Sequence, residues 1–377
     1  MRRNFEPTLS FRESNSGCSG VFKRKTTKHS GGFPREKKTQ KFSSLHKRSR
    51  VLKKDKFNIV FMGTPEFACF SLEKLIENEN VVAVVTQPDK PKGRGKRIHS
   101  PPVKICAQKR SIPVYQPENI KDKAFLDKIA SLHPDLIIVV AFGQLLSQEL
   151  LNVPALYSIN LHPSLLPKYK GPAPIPWVLI RGEKETGVTI QKMSEKVDSG
   201  EIILQKVVPI SIEDTAGTLS FKLSRVGGEA LVEAIQLIKK GKVRFRPQEG
   251  EESYAPKITK DIAGIDWKKS AFKIYNLIRG LNPYPGSFTT FIYKGKIQKI
   301  KIWKAILFKD VKTEKRYSSS PPGMVVKILK EEGFVVKTGR GLLLIKEVQL
   351  PNKPKISAYD FVKGYHIEEG VFLGKEN

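Results

Sequence analysis

Short, almost continuous apolar runs alternate with amphipathic segments from Phe57 to about residue 143. Runs of this length and composition are typical of strands buried on both faces of a parallel sheet. The segments between the runs predict a helix ending near Glu77, helices over residues 101–110 and 122–131, and a short strand near Val114. Strands that alternate with helices predict right-handed β-α-β crossovers, and therefore a Rossmann-like α/β domain with a mostly parallel sheet.

The pattern changes after a long helix that ends near Lys240. Residues 243–262 combine charge with Pro and Gly and predict a linker. A helix ended by Asn282 and Pro283 follows, and short alternating strands with glycine turns then continue to about Leu350. Strands at such spacing predict a small β-barrel. The predicted domains are an α/β domain over residues 56–242, the linker, and a C-terminal β domain over residues 263–377.

Residues 1–55 contain charge, Ser, Thr and Gly but almost no periodic apolar residues. The first 56 residues hold 17 Lys and Arg against 4 Asp and Glu. Such a segment cannot bury enough apolar surface to fold by itself, so we expect a disordered basic extension. It also lacks an apolar core of signal-peptide length. A nucleic-acid-binding arm, an organellar presequence and a misassigned start all remain open for it.

The net charge of +30 is not confined to the extension, because residues 57–377 hold 50 Lys and Arg against 33 Asp and Glu. A surplus of this size favours a polyanionic partner, and nucleic acid is the commonest one. The competing interpretation is a lysine-rich surface that keeps the protein soluble.

Cysteine usage and hydropathy narrow the class of protein further. Cys18, Cys69 and Cys106 are widely spaced and form no C-x-x-C pair, which argues against a disulfide framework and a zinc site. No run of about 18 apolar residues occurs, so we expect no membrane span. These features predict a cytoplasmic protein, or one of an organellar matrix if the basic extension is a presequence.

Candidate chemistry lies in the stretch "SINLHPSLLP", which starts at Ser158. Side chains alternate along a strand, so Asn160 and His162 point to one face near its end. Downstream, "TGVTIQKMSEKVDSGEIILQ" predicts two strands joined by a turn that contains Asp198. An amide and an imidazolium can stabilise an oxyanion while a carboxylate assists deprotonation, which suits attack of an amine on a carbonyl. Taken singly, a structural histidine and a turn-forming aspartate are the commoner interpretations.

The first turn between strand and helix argues against a dinucleotide site. It reads "GTPEFA", where the fingerprint requires G-x-G-x-x-G, so the glycines that allow close approach of a pyrophosphate are missing. Ligands of open parallel sheets bind beyond the carboxyl ends of the strands. Attention therefore moves to the turns after Val140 and Leu161.

Six motifs, in order and spacing, resemble those of the methionyl-tRNA formyltransferases, within the wider family of folate-dependent formyltransferases. They are "FMGTPEFA" from Phe61, "TQPDKPKGRGKR" from Thr86, "SPPVK" from Ser100, "INLHPSLLPKYKGPAPI" from Ile159, "ETGVTI" from Glu185 and "DSGEII" from Asp198. The resemblance runs from Phe57 to the C-terminus and leaves only the basic extension outside. Some relatives have His-Gly-Ser where this chain has His-Pro-Ser, which leaves Asn160 and His162 unaffected.

The resemblance implies an enzyme that transfers the formyl group of 10-formyltetrahydrofolate to the amino group of methionyl initiator tRNA, without a metal. It makes Asn160, His162 and Asp198 the catalytic residues of a formyltransferase domain. The folate co-substrate is expected at six residues, which are Ser164, Leu165, Leu166, Pro167, Phe142 and Gly143. The prolines after His162 are then expected to make a rigid wall for this ligand.

The resemblance also implies how tRNA is recognised. It places the inserted loop "QPDKPKGRGKRIHSPPVK" against the acceptor end of the tRNA, and the predicted tRNA-binding residues are Lys92, Arg94, Lys96 and Arg97, with Arg94 the most important. It makes the C-terminal domain an OB-like tRNA-binding domain with a basic face of five lysines, which are Lys294, Lys296, Lys299, Lys301 and Lys304. A solvated basic loop and a purely structural barrel are the alternatives.

Two other functions remain open at this point. One is another formyltransferase or hydrolase that uses 10-formyltetrahydrofolate and acts on a small substrate. The other is a non-enzymatic tRNA-binding protein on a degenerate scaffold. The basic loop and the barrel argue against the first, and the intact set of Asn160, His162 and Asp198 argues against the second. We expect a monomer whose partners are initiator Met-tRNA and the folate co-substrate.

Overall fold

The computed structural model describes the backbone of residues 54–92 and 97–374, and their side chains except those of Lys92 and Arg97. Residues 1–53 of the predicted basic extension lie outside the described residues, as do Arg94 and Lys96. Within the described part of the chain, no helix is long and apolar enough to cross a membrane.

The α/β part contains nine strands, six α-helices and one 3-10 helix (Glu66–Ala68) among the described residues. The strands are β1 (Asn58–Gly63), β2 (Asn80–Val85), β3 (Lys90–Lys92), β4 (Arg97–His99), β5 (Val114–Tyr115), β6 (Leu136–Val140), β7 (Tyr157–His162), β8 (Glu185–Lys192) and β9 (Ile202–Pro209). The helices are α1 (Cys69–Asn78), α2 (Pro102–Gln108), α3 (Lys123–Ser131), α4 (Gln148–Leu151), α5 (Pro174–Arg181) and α6 (Ala216–Lys239).

Seven of these strands form one sheet in the order β5-β2-β1-β6-β7-β8-β9. The neighbours from β5 to β7 are parallel, and β8 and β9 add antiparallel pairs at one edge. β3 and β4 form a separate antiparallel hairpin. The predicted Rossmann-like domain with a mostly parallel sheet is therefore confirmed.

Helices cover both faces of this sheet. One face packs against α1 and α6, and the other packs against α3 and α4. Helix α6 approaches β7 closely, because a Cβ atom on Gly227 would lie 2.6 Å from Leu161 Cδ1. Leu161 thus points toward α6. Alternation along the strand turns Asn160 and His162 to the opposite face.

The C-terminal part contains six strands and three α-helices among the described residues, and a 3-10 helix (Asp261–Ala263) precedes them. The strands are β10 (Ser287–Tyr293), β11 (Lys296–Phe308), β12 (Val325–Leu329), β13 (Gly333–Lys337), β14 (Leu342–Gln349) and β15 (Lys355–Ser357). The helices are α7 (Ala271–Gly280), α8 (Val311–Arg316) and α9 (Ala358–Tyr365). The strand order is β10-β11-β14-β13-β12, β15 pairs with β14, and every pair is antiparallel. The predicted C-terminal β domain is therefore confirmed.

The predicted linker is in part a packed segment. Residues 246–256, which we call the strap, lie along one edge of the α/β part. The backbones of Arg246 and Ile202 exchange two hydrogen bonds of 2.7 and 3.0 Å, and the Ala255 N–H donates to the Lys170 carbonyl oxygen at 2.7 Å. Ala255 is fully buried. The strap therefore belongs to the α/β part by packing, although its composition is that of a loop.

Candidate active site

The carboxyl end of β7 carries Asn160, which lies beside Val139 of β6 and Gln191 of β8. The residue is half-buried. Among the described residues, no hydrogen bond is found for its side-chain amide. A donor without a protein partner at the carboxyl edge of a parallel sheet is well placed to bind a ligand.

His162 is the last residue of β7 and is 4% exposed. Its Nε2 lies 2.9 Å from the carbonyl oxygen of Tyr169. A carbonyl oxygen can only accept, so Nε2 carries the hydrogen in this contact. Nδ1 faces Asp198, 3.5 Å from Oδ1. Nδ1 is therefore the ring nitrogen that is left to act on a substrate.

Asp198 lies in the turn between β8 and β9, as predicted, and completes the group of Asn160, His162 and Asp198 that we call the trio. Its Oδ2 accepts from the Gly171 N–H at 2.9 Å, and its Oδ1 accepts from Gln191 Nε2 at 3.1 Å. Both carboxylate oxygens are thus held by donors from different segments. The carboxylate is oriented before a substrate binds.

Three residues that hold the trio are absent from the sequence-based prediction. Tyr169 and Gly171 act through main-chain atoms, which leave no signature in the identity of a side chain. Gln191 left a signal, because it is a polar residue at the end of a run of six buried residues in β8 and is 2% exposed. A buried amide must find partners, which here include Asp198.

Phe142 and Gly143, predicted to bind the folate, lie in the loop after β6. Phe142 is 2% exposed and packs in the core on the α3 and α4 side, and its carbonyl oxygen accepts from Thr64 Oγ1 at 2.8 Å. Gly143 is exposed, and no atom lies within 4 Å of the place where its Cβ would be. A ligand can therefore approach the main chain of this loop more readily than the ring of Phe142.

The other four predicted folate residues lie in the neighbouring loop after β7. Ser164, Leu166 and Pro167 are buried, and Leu165 is half-buried. Thr189 Oγ1 donates to the Ser164 carbonyl oxygen at 2.7 Å and accepts from the Leu166 N–H at 3.1 Å. The three buried residues therefore support the loop from inside the protein. Leu165 is the one of the four that a ligand can contact most readily.

The hairpin of β3 and β4 carries two of the four predicted tRNA-binding residues, Lys92 and Arg97, whose backbones pair at its far end. Asp89 anchors its base, because its carboxylate accepts from Lys104 Nζ at 2.7 Å and from Gln116 Nε2 at 2.7 Å. These hydrogen bonds hold the pKa of Asp89 below its ordinary value. Hairpin placement thus depends on a charged anchor that the sequence-based prediction did not include.

A cavity of about 440 Å³ lies in the C-terminal part. Its lining includes Lys260, Lys299, Lys301, Tyr284 and Phe288. Burial lowers the pKa of Lys301, and the charges of Lys299 and Lys260 lower it further. Two of the five lysines predicted to form a basic face therefore line this basic cavity, and the other three do not.

Comparison with known families agrees with both parts of the fold. The family model "Formyl transferase" matches residues 57–235, and "Formyl transferase, C-terminal domain" matches residues 257–366. A methionyl-tRNA formyltransferase of Clostridioides difficile is 48% identical over 318 residues, which cover 84% of this chain and 99% of the relative. The chain belongs to the methionyl-tRNA formyltransferase family. A second member, from Thermodesulfovibrio yellowstonii, is 45% identical over 314 residues, with 83% of this chain and 97% of the relative covered.

Solved structures share the fold of this methionyl-tRNA formyltransferase family member. The sugar 3N-formyl transferase WlaRD, solved in the presence of dTDP and 5-N-formyl-THF, has a TM-score of 0.55 and 24% identity, with 79% of this chain and 99% of that chain covered. HypX from Aquifex aeolicus, solved with tetrahydrofolic acid, has a TM-score of 0.55 and 17% identity, with 85% of this chain and 51% of that chain covered. At these identities the likeness concerns the fold.

Proposed function

We propose that this protein transfers the formyl group of 10-formyltetrahydrofolate to the free amino group of methionyl initiator tRNA, giving N-formylmethionyl-tRNA for translation initiation. The observation that carries the proposal is the trio at the carboxyl edge of the sheet, in a chain 48% identical to a methionyl-tRNA formyltransferase. An amide with no partner among the described residues, an imidazole nitrogen and an oriented carboxylate are groups that suit formyl transfer to an amine.

Asn160 and His162 stabilise the charge that develops on the formyl oxygen when the methionyl amine attacks the formyl carbon. The Asn160 amide and the Nδ1–H of His162 donate hydrogen bonds to this oxygen. The Tyr169 carbonyl oxygen holds Nε2 at 2.9 Å, so the ring keeps Nδ1 toward the reacting atoms. Donors fixed in advance cost no reorganisation during the reaction.

Asp198 takes the proton that the attacking amine must lose, directly or through a water molecule. Its negative charge, 3.5 Å from Nδ1, also balances the positive charge of the protonated imidazole. The nitrogen that leaves the formyl carbon gains a proton, so the overall transfer neither consumes nor releases one.

The loops after β6 and β7 fit the folate co-substrate, which supplies the formyl carbon. An N-formyltransferase from Helicobacter canadensis was solved with folinic acid, and it shares the fold with a TM-score of 0.56. In this chain the accessible main chain of Gly143 can donate and accept hydrogen bonds, and Leu165 offers an apolar contact. Ser164, Leu166, Pro167 and Phe142 are then supports of these loops.

Two basic surfaces suit the tRNA. The hairpin of β3 and β4 carries Lys92 and Arg97, and Arg94 and Lys96 fall between them in sequence. The lysine-lined cavity of the C-terminal part adds ammonium groups, and none of the described residues that line it is acidic. Phosphate contacts of this kind give affinity and register, whereas discrimination between tRNAs needs contacts that other tRNAs cannot make.

The test is an assay with purified protein, 10-formyltetrahydrofolate, and initiator or elongator tRNA charged with methionine. We expect formyl-methionine on the initiator, much less on the elongator, and formylation of the initiator about 10²–10³-fold slower with the Asn160→Ala variant. Equal formyl release with no tRNA would indicate a hydrolase. Tight tRNA binding without any formylation would indicate a binding protein.

In this proposal the protein acts in the cytoplasm as a monomer, and its reaction needs no metal. Among the described residues, no group of three or more His, Cys, Asp and Glu side chains could hold a metal ion.

A further inference from the structure

We propose that Gln248 of the strap, together with Gln191, is a positioning residue that holds Asp198 in its catalytic orientation. The inference rests on the proposed role of Asp198 in formyl transfer. It assigns a part in the reaction to a segment whose composition is that of a linker.

The Gln248 amide bridges the two ends of the turn that carries Asp198. Its Nε2 donates to the carbonyl oxygen of Asp198 at 2.9 Å and to that of Gly200 at 2.8 Å. An amide nitrogen has two hydrogens, and carbonyl oxygens can only accept, so these contacts determine how the amide is oriented. Gln248 Oε1 is buried without a partner among the described residues.

Gln191 holds the carboxylate of the same turn. Its Oε1 accepts from the Gly200 N–H at 3.2 Å, and a backbone N–H can only donate. Its Nε2 must therefore face Asp198, where it donates to Oδ1 at 3.1 Å. Gln248 thus fixes the main chain around Asp198, while Gln191 fixes its side chain.

Asp198 needs this support because its φ is +49°. The left-handed region is unfavourable for residues other than glycine, although aspartate tolerates it better than most, and hydrogen bonds from the surroundings stabilise it. Without the Gln248 bridge, the turn can relax toward an ordinary conformation. The carboxylate would then move away from Nδ1 of His162.

The strap can act as a brace because it is anchored on both sides of Gln248. Arg246 pairs with Ile202 on one side, and the Ser253 carbonyl oxygen accepts from the Lys170 N–H at 2.9 Å on the other. Ser253 Oγ also accepts from the N–H of Tyr169 at 2.9 Å, the residue whose carbonyl oxygen holds His162. One segment therefore supports the loops behind both His162 and Asp198.

The test is the variant Gln248→Met, which keeps the length of the side chain and removes both donors. We expect kcat to fall about 10- to 100-fold, as a displacement of about 1 Å can cause. KM for each substrate should stay within about two-fold, because the lost contacts act on the transition state. The matched control is Glu249→Gln, at the exposed neighbouring residue, which should keep wild-type kcat.

A double-mutant cycle separates positioning from a general structural role. If Gln248 acts through Asp198, Gln248→Met should change the rate of the Asp198→Ala enzyme less than about two-fold. The proposal would be overturned if Gln248→Met lowered kcat equally in the wild-type and Asp198→Ala enzymes, or if Gln248→Met kept the wild-type kcat. Gln191→Met, which removes the donor to the Asp198 carboxylate, should also lower kcat in the wild-type background and change the rate of the Asp198→Ala enzyme little. This variant tests the proposal if Gln248→Met does not fold. Wild-type kcat in Asp198→Ala itself would instead refute the proposed catalytic role.

Discussion

The trio and the lysine-lined cavity hold charged groups in different ways. At the trio, both oxygens of Asp198 accept hydrogen bonds, from Gly171 at 2.9 Å and from Gln191 at 3.1 Å. In the cavity, ammonium groups on long side chains lie near one another, and Lys299 Nζ lies 3.2 Å from the centroid of the Phe288 ring. Directional contacts define one geometry, whereas ammonium groups on flexible stems attract a polyanion in many geometries. We therefore expect changes at the trio to affect turnover and changes in the cavity to affect affinity.

The largest effect should come from the trio. Asn160→Ala and His162→Ala should each lower kcat by about 10²–10³-fold, as loss of an oxyanion donor does. The free energy of unfolding and the tRNA affinity should change little, because these side chains act mainly on the transition state. Single-turnover formylation and filter binding measure the two quantities. Wild-type turnover in either variant would remove that residue from the mechanism.

The hairpin of β3 and β4 is held by directional hydrogen bonds to Asp89, and variants of it test whether its placement governs the selection of tRNA. Arg94→Ala should lower kcat/KM for initiator Met-tRNA by about 10-fold, the cost of one specific contact. Asp89→Ala should act similarly, because it releases the hairpin base from Lys104 and Gln116. If both act through the hairpin, the double variant should be little worse than either alone. Formyl release without tRNA is the control and should be unchanged in both variants. If Arg94→Ala kept the wild-type preference for initiator over elongator tRNA, the loop would be a nonspecific basic surface.

Changes in the cavity should have smaller and more uniform effects. Lys299→Ala and Lys301→Ala should each weaken binding of initiator and elongator tRNA alike and reduce the salt slope by about one counterion. The turnover of bound substrate should remain. Lys304→Ala is the matched control, since Lys304 is on the same strand and does not line the cavity. A lower kcat in Lys299→Ala at saturating tRNA would contradict the prediction that the cavity affects only affinity.

The smallest expected effect on activity comes from Asp214, a buried carboxylate that contributes to the free energy of unfolding. It is less exposed than Lys299 and Lys301 of the cavity. Burial raises the pKa of Asp214, but hydrogen bonds from Lys222, the Ser211 N–H and Thr218 outweigh it and hold the pKa below the ordinary 3.8. Its contribution is therefore present above pH 3.8 and is lost as the pH falls through the lower folded value. Asp214→Asn should cost about 1–3 kcal/mol at pH 7, as loss of charged hydrogen bonds does.

Urea unfolding of both proteins at several pH values checks this dependence. The gap between wild type and Asp214→Asn should narrow as the solution is acidified below pH 3.8. kcat should not change in either direction. A gap that stays constant with pH would show that the charge of Asp214 is not what stabilises the fold.

The fold was largely predictable because its signals are local. The all-apolar run of β6 has all five residues buried, as expected for a strand covered on both faces. Asn160 and His162 could be placed on one face for a similar reason, since they are two residues apart on one strand. The family resemblance drawn from the motifs is confirmed by relatives that cover most of the chain.

The supports of the trio were not predictable in the same way. Gly171 and Tyr169 contribute main-chain atoms, and Gln248 reaches Asp198 across 50 residues of chain. The composition of the strap is that of a linker, yet its backbone pairs with Ile202 of β9 and with Lys170 in the loop after β7. Likewise, nothing in the spacing of the five lysines distinguishes the two that line the cavity.

The sequence by itself determined the order of strands and helices, the candidate trio and the basic character of the chain, because hydrophobic periodicity and residue chemistry act between near neighbours. Tertiary structure decided which donors meet the Asp198 carboxylate, which nitrogen of His162 stays available and what the strap does. These outcomes depend on hydrogen bonds between segments far apart in sequence, and such bonds form only after packing has brought the segments together.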